Sequence, residues 1–217
     1  MAYITIEGGQ KLEGRIKISG SKNAALPIIA STLLSDSSIE LNNIPNLEDV
    51  KSMFELLISL GVKYEQKSLN SFNKIVVNCF NINSFEANYD LVRKMRASFL
   101  VLGPLLAREG KAKVSLPGGC AIGTRPVDLH LEAMQSLGAS IDLKDGYVYA
   151  KAPRTGLIGN KIIFKKISVG ATENAIMAAV LAKGETLIKN AALEPEIIDL
   201  CCFLNSIGAN IEDAGKK

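Results

Sequence analysis

The sequence predicts an α/β domain in which three copies of a helix–strand–helix–strand unit close around a core of buried helices. Two observations predict this arrangement. Segments ending in Ser-Leu-Gly or Ser-Ile-Gly recur along the chain, with their glycines 77 and 70 residues apart. A nearly all-apolar helix precedes each of these segments, and a helix that is apolar on all sides is typically buried. The repeat is longer than the common solenoid periods, which favours a closed arrangement over an open array.

Each copy contains four elements in the same order. The buried helices are predicted at 23–34, 97–108 and 172–182, and the strands that follow them at 38–44, 112–116 and 186–190. An amphipathic helix comes next and ends at Gly61, Gly138 or Gly208, from which the chain leaves as a second strand. Glycine suits a helix end because it adopts the left-handed conformation at little cost. The copies span about residues 22–66, 93–143 and 168–213.

Two prolines and the N-terminal segment qualify this scheme. Pro104 is predicted to break or kink the second buried helix, whereas Pro27 lies in or just past the first turn of the first helix, where proline is better tolerated. Residues 1–21 lie outside the repeats. Their alternating runs at 3–6 and 15–18 predict a hairpin. A hairpin alone is marginally stable, so this one is expected to join another sheet.

The composition excludes several classes of protein. The chain has 217 residues, 47% hydrophobic and 22% charged, with a net charge of +3 and no long basic run, which argues against a nucleic-acid partner. Its four cysteines lack metal-ligand spacing, so we expect free thiols in a reducing compartment and no bound metal or cofactor. No signal peptide or apolar stretch of about 20 residues is present, which predicts a cytoplasmic protein without membrane contact.

The second copy carries an extra loop. In each copy we compare the distance from the last apolar residue of the first strand to the glycine that ends the amphipathic helix. This distance is 20, 22 and 20 residues in the three copies, and the two extra residues of the second copy lie in 117–126. This loop contains three glycines, Cys120 and Arg125. Glycines allow a ligand to approach the backbone, and a nearby cation lowers the pKa of a thiol. One interpretation is a mobile loop with a reactive thiol, and the other is a flexible turn with an incidental cysteine.

The starts of the buried helices are candidate anion sites, because helix N-termini present unpaired N–H groups and partial positive charge. Lys22, Arg96 and Lys166 lie at or near these starts. Each could instead be an ordinary capping or solvated residue. Asp128 could cap the following helix or bind a ligand, and the single histidine, His130, is expected on the surface of that helix.

Five motifs together closely resemble the UDP-N-acetylglucosamine enolpyruvyl transferases, also called 1-carboxyvinyltransferases. In chain order they are Ser21-Lys22-Asn23-Ala24-Ala25-Leu26-Pro27, Met95-Arg96-Ala97-Ser98, Leu116-Pro117-Gly118-Gly119-Cys120, Arg125-Pro126-Val127-Asp128-Leu129-His130 and Ser168-Val169-Gly170-Ala171-Thr172. The resemblance implies an inside-out α/β barrel fold. The related shikimate-pathway transferase shares that fold, but the third and fourth motifs point away from it.

The resemblance also implies an activity. The enolpyruvyl group of phosphoenolpyruvate passes to the 3′-hydroxyl of UDP-N-acetylglucosamine, and phosphate is released. This is the first committed step of peptidoglycan synthesis, so the implied role extends to cell shape and cell division. Cys120 would be the loop thiol that donates a proton, forms an adduct with phosphoenolpyruvate and is alkylated by fosfomycin.

Substrate contacts are implied for the remaining motif residues. Lys22 and Arg125 would contact phosphoenolpyruvate, and Asn23 both substrates. The implied contacts to the nucleotide sugar are Arg96, Arg125, Pro126, Val127, Asp128, Leu129, Lys166, Ile167, Ser168, Val169 and Gly170.

The chain departs from the resembled family in length, since that family's chains are about twice as long. The other half would supply the base for the sugar hydroxyl and further arginines, and residues 1–21 resemble a segment that completes it. We therefore expect a truncated chain, a split gene product or half of a larger protein, which binds substrates without substantial turnover alone. A non-catalytic UDP-sugar-binding module derived from the same family is the alternative. A transferase with another acceptor is the third hypothesis, which the Arg-Pro-Val-Asp-Leu stretch disfavours.

Overall fold

The computed structural model describes residues 2–66, 74–117 and 127–216. The α-helices in these ranges are α1 Lys22–Ser31, α2 Glu48–Ser59, α3 Tyr89–Val92, α4 Leu102–Glu109, α5 Asp128–Ser136, α6 Val169–Ala179 and α7 Pro195–Ser206. Short 3₁₀ helices span Thr32–Leu34 and Arg96–Val101. The strands are β1 Ser38–Asn42, β2 Lys63–Gln66, β3 Lys74–Asn78, β4 Glu86–Ala87, β5 Lys111–Ser115, β6 Ser140–Lys144, β7 Tyr147–Lys151, β8 Lys161–Ile163 and β9 Leu187–Lys189.

Helices α1, α4 and α6 form the interior, as their all-apolar sequences predict. Most side chains of α6 are buried, from Ala171 to Ala178, and α1 buries Leu26 and Ile29. Helix α4 packs on α6, α1 packs on both α2 and α7, and α5 packs on α6. The 3₁₀ helix that begins at Arg96 contacts both α1 and α6. Burial of this apolar surface is the main source of stability for such a core.

Three sheets cover the helices. The first has the strand order β1-β3-β2 and is antiparallel, and the second has the order β4-β5-β7-β6. The third pairs β8 with β9 in parallel. Inward and outward residues alternate along the strands, so that Ile39 and Leu41 of β1 are buried between exposed neighbours. The helices therefore occupy the centre and the sheets the outside.

Backbone geometry confirms that a glycine in the left-handed region ends the amphipathic helix of each copy. Gly61, Gly138 and Gly208 each follow an amphipathic helix and have φ values of 104°, 91° and 109°. A residue with a Cβ atom is strained in this region, so the glycines set the point at which each helix ends.

The second buried helix is interrupted near Pro104, as predicted. Its first part is the 3₁₀ helix Arg96–Val101, and the α-helix starts at Leu102. Pro104 is the third residue of α4, where its missing N–H removes no α-helical hydrogen bond. The break that Pro104 predicts is therefore a change of helix type just before it.

Two predicted β segments are absent from the structure. Residues 209–212, after Gly208, form no strand, whereas β2 and β6 of the earlier copies pair with the strands that follow them. No strand follows residue 208 among the described residues, so the predicted exit strand has no partner there. Residues 2–20 also form no hairpin, and Ile4, Ile6 and Ile16 are exposed because no other sheet packs against them. Assignment of this segment to a second domain stays a prediction.

Candidate functional site

The start of α6 forms one wall of the candidate site. Ser168 is the N-cap residue, with an extended backbone, and its Oγ accepts a hydrogen bond from the backbone N–H of Ala171 at 3.3 Å. The N–H groups of Val169 and Gly170, in the first turn, have no intrahelical acceptor. These two residues and Ser168 are half-buried. The helix start therefore offers oriented donors and partial positive charge to an anion.

A cavity of about 300 Å³ opens beside this helix start. Its lining comes from the second and third repeats and consists of Arg96, Ala97, Phe99, Leu100, Val127, His130, Ser168, Val169, Gly170 and Glu173. The cavity thus brings together five residues that the sequence predicted as nucleotide-sugar contacts: Arg96, Val127, Ser168, Val169 and Gly170. A mainly apolar cavity with a few convergent polar groups is typical of a small-molecule site.

A buried amide holds the cavity walls together. Asn174 is fully buried on α6, and its Oδ1 accepts a hydrogen bond from Gly103 N–H at 2.7 Å. Its Nδ2 donates to the carbonyl of Phe99 at 3.0 Å and to Nδ1 of His130 at 3.0 Å. A Cβ atom at Gly103 would lie 2.5 Å from the backbone carbonyl oxygen of Asn174, so glycine is needed for this close approach of the two helices. One side chain therefore joins α6 to α4, α5 and the 3₁₀ helix.

His130 is buried, not on the helix surface as predicted, because α5 packs this face against α6. The residue is 5% exposed, and its ring meets Phe99 edge-on at a centroid distance of 5.2 Å. Because Nδ1 accepts from Asn174, the ring proton is assigned to Nε2. Burial and the Arg96 guanidinium lower the pKa of His130 to about 4, so the ring is neutral near pH 7. A neutral N–H donor thus lies in the cavity wall.

Glu173 is a site residue that the sequence reasoning missed. It lies within α6, is 5% exposed and lines the cavity. Burial, together with the carboxylates of Glu196 and Glu194, raises its pKa to about 7. The available clue was the run Thr172-Glu173-Asn174 inside an otherwise apolar helix, because polar side chains buried in this way need partners.

The start of α1 carries the other predicted cation. Ser21 caps the helix, and Lys22 and Asn23 are exposed in its first turn. Nζ of Lys22 lies 2.8 Å from Oδ2 of Asp49, at the start of α2. An exposed ion pair of this kind contributes little to stability, so Lys22 can turn to a bound anion at small cost. Neither Lys22 nor Asn23 lines the cavity, although the 3₁₀ helix that begins at Arg96 packs against α1.

The remaining predicted residues fall into two groups. Four of them do not line the cavity but lie within two residues of a lining residue in sequence: Asp128, Leu129, Lys166 and Ile167. Cys120, Arg125 and Pro126 lie outside the described residues. Asp128 is the first residue of α5, where its negative charge interacts favourably with the helix dipole. The N-cap residue is Val127, so Asp128 does not cap the helix.

The described thiols differ sharply in their surroundings. Cys79 and Cys201 are buried, whereas Cys202 is exposed. Burial raises the pKa of Cys201 to about 11, and burial likewise raises the pKa of Cys79 despite its contact with Thr32. Thiolate is the reactive form, so both buried thiols are expected to be inert. Cys202 is the described cysteine that a reagent in solution can reach.

A second concavity lies on the outer face of the second sheet. It measures about 340 Å³, and Lys111, Tyr149 and Lys151 are among its lining residues. It shares no lining residue with the cavity beside α6.

In the described ranges no cluster of three His, Cys, Asp or Glu side chains suits a metal ion, and no helix there is long and apolar enough to span a membrane.

Buried helices inside three sheets, with a cavity at the start of one helix, define the inside-out α/β fold of enolpyruvyl transferases. A solved structure of this class, the enolpyruvyl transferase NikO from Streptomyces tendae, matches 96% of the chain with a TM-score of 0.80 at 23% identity, covering 48% of that protein. The chain belongs to the EPSP synthase (3-phosphoshikimate 1-carboxyvinyltransferase) family, whose sequence model matches residues 6–217.

Curated relatives with higher identity carry a narrower description. The chain is 54% identical over all of its 217 residues to a UDP-N-acetylglucosamine 1-carboxyvinyltransferase of Cereibacter sphaeroides, of which it covers 51%. It is 56% identical to a protein of the same description from Zymomonas mobilis, of which it covers 52%. The chain therefore spans about half the length of the curated relatives it matches. The resemblance noted from the five motifs is confirmed.

Proposed function

We propose that this chain is the nucleotide-sugar-binding half of a UDP-N-acetylglucosamine 1-carboxyvinyltransferase. The observation that carries the proposal is the cavity beside α6. Its wall contains Arg96 and the start of α6, at Ser168 and Gly170, which can hold a diphosphate. The identity of 54% with relatives of this description supports the choice of ligand. The proposed partners are UDP-N-acetylglucosamine, phosphoenolpyruvate and the other half of the enzyme.

The proposed reaction joins the sugar 3′-oxygen to C2 of phosphoenolpyruvate while a proton is added to its methylene carbon. The resulting tetrahedral intermediate loses phosphate and a proton from the new methyl group, which restores the double bond. We assign the proton donor to Cys120 and the phosphoenolpyruvate contacts to Lys22 and Arg125. Asn23 would contact both substrates, and the residues 125–129 and 166–170 the nucleotide sugar. Cations and helix starts offset the substrate charges, most strongly where water is excluded.

We assign the reaction to peptidoglycan synthesis in the cytoplasm. Through this pathway it would contribute to cell-wall biogenesis and cell division. The base for the sugar hydroxyl is assigned to the other half of the enzyme. We therefore expect the chain alone to bind UDP-N-acetylglucosamine without turnover. Phosphate release from the two substrates at rates normal for the family would refute this expectation.

The proposal is tested by titrating the chain with UDP-N-acetylglucosamine and then measuring its mass after exposure to fosfomycin. A Cys202→Ser background removes the exposed competing thiol, and Cys120→Ser in that background is the matched control. We expect saturable binding and one adduct on Cys120 that forms at least about fivefold faster with the nucleotide sugar, a coupling of roughly 1 kcal/mol. The Cys120→Ser control should form no adduct.

The outcomes separate the competing functions. Binding without an adduct on Cys120 would favour the non-catalytic UDP-sugar-binding module. An adduct without saturable binding of the nucleotide sugar would favour a transferase with another acceptor. Failure to bind and failure to react would together overturn the proposed function.

A further inference from the structure

Glu173 is an acidic side chain in the wall of a cavity that is otherwise suited to an anion. It is 5% exposed and lies four residues after Val169, the first residue of α6, so the two side chains lie on the same face of the helix. Among the described residues it forms no hydrogen bond or ion pair, and its carboxyl oxygens are not among the fully enclosed unpartnered atoms. A buried carboxyl without a partner is costly, most of all when it is ionised. The cavity is therefore where its partner is expected.

Charged groups face Glu173 from several elements. The carboxylates of Glu194 and Glu196, at the start of α7, repel its ionised form. On the α5 side the cavity contains neutral His130, with Asp128 nearby in the first turn, and the 3₁₀ helix contributes Arg96. One oxygen of Glu194, Oε2, is itself buried without a hydrogen-bond partner in the described residues. This environment favours the protonated form of Glu173.

We infer that Glu173 is a ligand-facing residue that holds a proton when an anion binds at the start of α6. In the protonated form its O–H can donate a hydrogen bond to a ligand oxygen, while the ionised form repels the ligand from the same wall. The identity of the anion as UDP-N-acetylglucosamine rests on the proposed function. The coupling between anion and proton rests on the position of Glu173 in the cavity wall beside the start of α6 and on the neighbouring carboxylates, whatever the anion is.

Coupling of this kind is reciprocal. A bound anion raises the pKa of Glu173 above its value in the free protein, which burial and the two neighbouring carboxylates already raise to about 7. Ligand binding near neutral pH therefore takes up protons, and the affinity falls as the pH rises above 7. A further rise of one pKa unit corresponds to about a tenfold change in affinity.

Isothermal titration calorimetry with UDP-N-acetylglucosamine measures the proton uptake directly. Both phosphates of this ligand are esterified and do not titrate near neutral pH. At pH 7.5, titrations in buffers of different ionisation enthalpy are expected to report uptake of about half a proton per ligand. The variant Glu173→Gln keeps the shape of the side chain and can still donate a hydrogen bond through Nε2, so its binding is expected to occur with no proton uptake. Its affinity should be constant from about pH 6.5 to 8.5.

Two results of the calorimetry would overturn the inference. One is binding by the wild type without proton uptake. The other is the same uptake in Glu173→Gln, since the proton would then belong to another group such as His130.

A second measurement keeps the inference testable when the nucleotide sugar does not bind, a result that counts against the proposed function. The carboxyl carbon of Glu173 is titrated by NMR without and with sulfate, an anion that does not titrate in this range. Sulfate is expected to raise the titration midpoint. A midpoint that sulfate does not raise overturns the coupling, whatever the natural ligand is.

Discussion

Replacement of Asn174 by alanine is expected to lower the free energy of unfolding by about 2–4 kcal/mol. The substitution removes the acceptor of Gly103 N–H and the donor to His130 Nδ1, which both lie in the interior. A buried polar group that loses its partner costs about 1–3 kcal/mol. The same change removes the hydrogen bond that joins α5 to α6, so the cavity wall is expected to lose order and ligand affinity.

The matched control is Asn160→Ala. Asn160 is exposed. Its Nδ2 donates a hydrogen bond to the carbonyl of Ser136 at 2.9 Å, and its Oδ1 accepts one from the N–H of Lys161 at 2.8 Å. Because water can replace both of these exposed bonds, the expected loss is below about 1 kcal/mol. Urea unfolding followed by circular dichroism measures both variants. Equal losses in the two variants would show that Asn174 does not hold the helices together.

Replacement of Glu173 by glutamine is expected to stabilise the chain by an amount that grows with pH. The pKa of Glu173 is about 7 in the folded chain, against an ordinary value of 4.5. Between these values only the folded chain holds the proton, so ionisation of the wild-type carboxyl reduces stability as the pH rises. The variant lacks this loss, and its advantage should approach about 3 kcal/mol at pH 7.5.

His130 has the opposite dependence. Its pKa is about 4 in the folded chain and 6.5 ordinarily, so between these values only the unfolded chain holds the proton. Its contribution to stability therefore falls as the pH decreases from 6.5 to 4. From about pH 4.5 to 6.5 the two groups oppose each other, and their combined effect in the wild type is nearly flat. In Glu173→Gln the slope from His130 remains, at about 1.4 kcal/mol per pH unit.

Urea unfolding of the wild type and Glu173→Gln at pH 4.5, 5.5, 6.5 and 7.5 checks this prediction. The difference between the two chains cancels the contributions of most other titratable groups. It should be close to zero at pH 4.5 and rise steadily towards pH 7.5. A difference that is independent of pH would contradict the assigned environment of Glu173.

The repeated fold was predictable because its determinants are local. Glycine at the end of an amphipathic helix, as at Gly61 and Gly138, specifies the left-handed conformation from residue type alone. The all-apolar stretches of α1 and α6 indicate burial without knowledge of their partners. The order of helices and strands in each copy could therefore be read from the chain.

The predictions that failed depend on contacts between distant segments. The burial of His130 results from packing of α5 on α6, which no local pattern indicates. A strand after Gly208 and a hairpin before residue 21 both need a partner strand, which the described residues do not provide. Glu173 was missed because it lies in a helix predicted to be buried, where a carboxyl is unexpected.

The central claim is that the start of α6 and its cavity bind the nucleotide sugar. Backbone amide NMR shifts of the isotope-labelled chain during titration with UDP-N-acetylglucosamine test this claim most directly. Saturable shifts are predicted for Val169, Gly170 and Ala171 and for Arg96, which share the cavity or its helix start. Shifts confined to Lys111, Tyr149 and Lys151, on the outer sheet face, would contradict it.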